Sequence, residues 1–156
     1  MSEDTQKKTD TGFQLVIGLI IGLFAMTMLI IGLGLAIPGF ISYQYKGKHS
    51  EVSMNLSAIK ILQEAYEADY DIYLEAAAYP PHPAQEPQPW IVDASGGFVA
   101  LGWAPEGAVR GSYSVTTTTT DFRAVGVMDV DGDGHYATYV ATSSTAPHRL
   151  TSADVY

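Results

Sequence analysis

Residues 13–37 read FQLVIGLIIGLFAMTMLIIGLGLAI. Twenty-five consecutive positions carry no charge, and Gln14 and Thr27 are the only appreciably polar side chains among them. About 20 apolar residues span a bilayer core of roughly 30 Å as a helix. A soluble core helix would show a polar face, and this one has none. A secretory signal peptide has an apolar core of roughly 7 to 15 residues, so this run is too long for one. The stretch predicts a transmembrane helix, and charge stays absent up to Tyr45.

The flanks are different. Residues 1–12 are short, polar and of mixed charge, and they read as a disordered tail. Pro38 should remove a backbone hydrogen bond and bend the helix. Beyond it Val52, Leu56, Ile59, Leu62, Tyr66, Tyr70 and Tyr73 recur at spacings of three and four, which predicts an amphipathic stalk to about Leu74. Glu51, Lys60, Glu64, Glu67 and Asp71 fill its polar side. Five prolines between Tyr79 and Trp90 exclude helix or central strand and predict an extended connector. Strand patterns follow at Phe98–Trp103, Ser112–Thr120, Phe122–Val130 and His135–Thr142, joined by short turns. The expected organisation is a polar tail or leader over 1–12, a membrane helix over 13–43, a stalk helix over 44–78, a connector over 79–90 and an antiparallel β domain over 91–156. The fold class is α+β, a long N-terminal helix packed on a small antiparallel sheet.

Charge narrows the partners. The chain has 156 residues and a net charge of −9, of which −8 falls after residue 45. Phosphate backbones need a basic surface, so nucleic acid is not an expected partner. Lys7 and Lys8 on one side of the span face Lys46 and Lys48 on the other, so the positive-inside rule does not set the orientation. Cysteine is absent, which removes disulfides, thiolate metal sites and cysteine nucleophiles. His49, His82, His135 and His148 lack metal-binding spacing and read as surface histidines. No serine sits in a nucleophile elbow and no glycine-rich loop opens a helix, so no enzyme activity is expected.

Two motifs carry specific physical content. Gly18 and Gly22 form a GxxxG spacing, which lets helices approach closely in lipid, so other transmembrane subunits join membrane lipid as expected partners. Asp129-Val130-Asp131-Gly132-Asp133-Gly134 places carboxylates at alternate positions before glycine, as in the first half of an EF-hand loop. Asp129, Asp131 and Asp133 are therefore candidate calcium ligands. The twelfth position is Val140 instead of a bidentate acid, so another carboxylate such as Asp121 or Asp154 would have to close the shell. A plain Asp-Gly turn between strands suits the same residues.

The order of these features resembles type IV pilins and pseudopilins. Ala36-Ile37-Pro38-Gly39-Phe40 resembles the end of the apolar part of many pilin helices. Ser50-Glu51, Asn55-Leu56, Ala58-Ile59 and Ala65-Tyr66 resemble the stalk of pilin-like proteins of the myxobacterial kind. Leu101-Gly102-Trp103-Ala104-Pro105-Glu106-Gly107 followed by Tyr113 is similar to their turn and tyrosine-bearing strand. Gly12-Phe13 after Lys7-Lys8 looks like their leader junction. The resemblance implies a structural subunit in a bacterial inner membrane, single-pass, with a cytoplasmic N-terminus and a periplasmic or extracellular domain. One position departs: pilins carry a glutamate four residues after the Phe, used in filament assembly, and here it is Ile17. With the lengthened apolar run, this leads to the expectation of a retained leader. It also keeps two alternatives in play, an accessory single-span subunit of a larger membrane complex and a calcium-dependent adhesive module.

Overall fold

The computed structural model describes residues 3–156, with side chains from Phe13 onward except at positions 33, 35–38, 41 and 42. The elements are helix α1 (Glu3–Tyr70), strand β1 (Ala76–Tyr79), helix α2 (Gly97–Leu101), and strands β2 (Ser112–Thr117), β3 (Phe122–Met128), β4 (Ala137–Thr142) and β5 (His148–Arg149). Contacts divide the chain into two compact units, 1–43 and 44–156.

The first unit is helix alone. Phe13–Gly32 is long and apolar enough to cross a membrane, and none of it is buried. The helix begins at Glu3, within the segment expected to be a disordered tail. Once a long helix is nucleated, adding residues such as Gln6, Lys7 and Lys8 costs little. Pro38, where a bend is expected, and Gly12 of the leader junction lie within the continuous α1, and the surroundings of both are outside what is described.

The second unit is α+β. Its five strands form an antiparallel meander in the order β1-β2-β3-β4-β5. Val52, Leu56 and Ile59, at helical spacing on α1, are fully buried and form one core with the buried Tyr113, Val115, Phe122, Ala124, Met128, Ala137, Tyr139 and Ala141 of the sheet. Gly126 lies between Tyr113 and Tyr139 in register. A Cβ there would stand 2.8 Å from Val52 Cγ1, so the missing side chain is what admits the helix at this distance.

Three expectations are corrected. The stalk does not run to residue 74 or 78, because α1 ends at Tyr70. Asp71 takes the left-handed conformation with φ 57°, which suits a short polar side chain after a helix end. The chain then folds back, Tyr73 packs 5.1 Å from Phe122, and Ala76–Tyr79 becomes an edge strand on β2. Phe98–Trp103 is not a strand. Gly97–Leu101 is a helical turn ended by Gly102 at φ 74°, and it buries Phe98 and Leu101 at spacing i, i+3. The run is too short for its periodicity to separate the two. Finally, β2 and β3 stop short of residues 120 and 130, and β4 starts at Ala137.

Candidate functional site

The glycine-containing face of the first unit is smooth. Apart from the adjacent residues and the helix's own backbone, no atom lies within 4 Å of a Cβ built on Gly18 or Gly22. Gln14, Leu15, Gly18, Leu19, Gly22, Leu23 and Met26 line a shallow apolar groove along it. A groove floored by glycine is the shape that another helix backbone can enter.

In the second unit, the β3–β4 connection carries the aspartate motif. One carboxylate oxygen from each of Asp129, Asp131 and Asp133 falls within 4.8 Å of the others. Two ligands at 2.3–2.6 Å from one calcium ion are at most about 5 Å apart, so the distances suit a divalent cation. The same oxygens also organise the turn. Asp129 Oδ1 accepts the Gly132 N–H at 2.7 Å and Oδ2 accepts that of Gly134 at 3.2 Å. Asp133 Oδ1 accepts the His135 N–H at 2.7 Å, and this bond holds the Asp133 carboxyl below its usual range. The Gln85 amide of the connector donates to the carbonyl of Asp131, and Arg110 Nε donates to the carbonyl of Gln85 at 3.0 Å.

No further acid completes the shell among the described residues. Val140 is buried in β4. Asp121 stands at the opposite end of the seven-residue β3, roughly 20 Å away, where it accepts the N–H groups of Phe122 and Ser143. Asp154 is not grouped with the three. The turn can offer a cation three carboxylate oxygens, and water would have to supply the rest.

The most ordered polar constellation joins α1 to the sheet, and the sequence reading missed it. Glu51, read as part of the stalk's polar side, accepts the N–H of Arg110 at 2.8 Å and of Gly111 at 3.1 Å with Oε1. The Tyr113 hydroxyl donates to the same oxygen at 3.1 Å, and Asn55 Nδ2 donates to that hydroxyl at 2.8 Å. Burial, then the neighbouring Glu51 charge, push the Tyr113 phenol far above its ordinary range. Lys60, also read as part of that polar side, donates to the carbonyls of Thr142 and Ser143 as well as to Glu64. Gln63 is fully buried, exchanging two hydrogen bonds with the main chain of Leu74 across the fold-back. His49 is buried too, not a surface histidine. The one available signal was the Glu51–Asn55 spacing of four, which puts both on one helical face.

Compared with protein-family models, with curated proteins and with solved structures, the chain matches none.

Proposed function

We propose that this chain is a non-enzymatic, membrane-anchored structural subunit of the pilin-like class, working through contacts with other transmembrane subunits. The observation that carries the reading is the dual use of α1. Within one continuous helix, Phe13–Gly32 is apolar on every side, while Val52, Leu56 and Ile59 form one wall of the core of an acidic α+β unit. A soluble enzyme has no use for the first segment, whereas a subunit that displays a small domain from a bilayer requires it. The order of pilin-like motifs supports the same reading, with the anchor in a bacterial inner membrane, the N-terminus cytoplasmic and the acidic domain periplasmic or extracellular.

A second reading, an accessory single-span subunit of a larger complex, is favoured by Ile17. Without an acid there, the apolar helix lacks the charge that filament assembly uses in pilins. Extraction of the full chain from its own membrane in mild detergent, followed by native mass measurement, tests both. A ladder of homo-oligomers supports the pilin-class reading. A fixed stoichiometry with other proteins supports the accessory role, and a monomer with no partner under gentle extraction overturns both.

A further inference from the structure

His49 is 6% exposed, and neither ring nitrogen has a hydrogen-bond partner. A neutral imidazole always carries one N–H, so this burial leaves a donor unsatisfied, which destabilises the closed form. Such a group calls for an explanation, since a phenyl ring would fill the space without that cost.

The surroundings supply one. The Tyr139 ring of β4 and the Tyr156 ring each lie 5.9 Å from the imidazole. Tyr156 also packs 5.2 Å from Tyr45, one helical turn before His49. Tyr156 thus covers the helix turn Tyr45–His49, with Val155 beside it packed against the core. Arg149 fastens the closure by donating to the carbonyl of Val155 while its guanidinium sits 5.7 Å from the Tyr139 ring centre. The groups with charge or titratable protons around His49 and the Tyr156 ring are Tyr45 and Lys48 on α1, Tyr139 on β4 and Arg149 on β5, and Asp154 acts on Arg149. Among the described residues no carboxylate pairs with His49.

We propose that His49 is the trigger of an acid-released latch, whose protonation lifts residues 152–156 off the Tyr45–His49 turn and uncovers Tyr45, Tyr139 and the imidazole. A protonated His49 would be a buried cation with two N–H donors, no acceptor and the Arg149 guanidinium close by. Water supplies the missing acceptors once the segment lifts. The sheet does not have to open with it, because β1 to β4 pair among themselves and Leu150 and Thr151, which bond to Thr138 of β4, precede the part that lifts. Burial, reinforced by the Arg149 charge, lowers the His49 pKa to about 4 from 6.5 in the closed form. The sign follows: the open form takes up a proton that the closed form refuses, so the closed form loses stability as pH falls below 6.5.

The test uses the full chain in detergent micelles, labelled with fluorotyrosine, with the residue 156 signal assigned from Tyr156→Phe. Fluorine spectra are followed from pH 7 to pH 4. The expected result is a shift of the Tyr156 signal to its exposed position, with a midpoint between about 4 and 6.5 and uptake of one proton. His49→Phe should hold the closed signal throughout. An equal transition in His49→Phe, or none in the parent, overturns the proposal. Should that variant misfold, the His49 ring proton of the parent decides the matter: a titration near 6.5 with an unmoved Tyr156 signal also overturns it.

Discussion

Tyr113 in β2 donates its hydroxyl proton to Glu51 of α1, and that one carboxylate oxygen also receives the main-chain N–H of Arg110 and Gly111. Helix, strand and the turn leading into the strand thus meet at a single acceptor. Replacing Glu51 by Ala leaves two N–H groups and a buried phenol without it, and each unsatisfied buried group costs on the order of 1–3 kcal/mol. We expect Glu51→Ala to lose about 2–4 kcal/mol in denaturant unfolding of the full chain in micelles, with Glu51→Gln keeping much of the difference. Equal stability of the alanine variant and the parent would show that water replaces the carboxylate.

Gly126 is a point of close approach between sheet and helix. An alanine methyl would lie 2.8 Å from Val52 Cγ1 and 3.4 Å from Leu56 Cδ1, both buried on a packed helix. Overpacking of this kind costs about 1–3 kcal/mol. The expected outcome for Gly126→Ala is a lowered thermal midpoint, partly restored by Val52→Ala in the double variant. Failure of that rescue would place the strain elsewhere.

For the apolar segment Phe13–Gly32, Gly18→Ile with Gly22→Ile should weaken self-association or co-purification with partners at least several-fold, because two branched side chains fill the groove floor. Energy transfer between labelled chains in micelles measures the first, and recovery of partners from the membrane the second. Unchanged values in both would make the glycines passive features of a lipid-facing helix.

The aspartate turn gives a test by mass action. A cation that binds only the folded chain raises the thermal midpoint as its concentration rises. With three carboxylates and water, a site of this kind would need about 0.1–1 mM calcium. Melting curves of the full chain with millimolar calcium and with chelator decide the point. A calcium-dependent rise that vanishes in Asp131→Ala places the ion at the turn and strengthens the adhesive-module reading. Coincident curves make Asp129 and Asp133 ordinary turn formers, a role their bonds to Gly132, Gly134 and His135 already serve.

The sequence by itself determined the features that rest on composition and period. An uncharged run from Phe13 to Tyr45 can be nothing but an apolar helix, and Val52, Leu56 and Ile59 at helical spacing had to face a core. Alternation in Ser112–Thr117, Phe122–Met128 and Ala137–Thr142 marked three strands, and short turns between them made the sheet antiparallel. Tertiary structure decided whatever depends on a partner distant in sequence. Tyr70 ends α1, and Ala76–Tyr79 becomes a strand despite an alanine-rich run, because β2 offers an edge and Gln63 holds the returning chain at Leu74. Gly97–Leu101 coils because Phe98 and Leu101 reach the core together only from a helical turn. Glu51, Lys60 and His49 look like solvent-facing stalk residues until the segments around Arg110, Ser143 and Tyr156 fold over them. A polar side chain on a helix carries no local mark of burial; its environment is set by which loop lands on it.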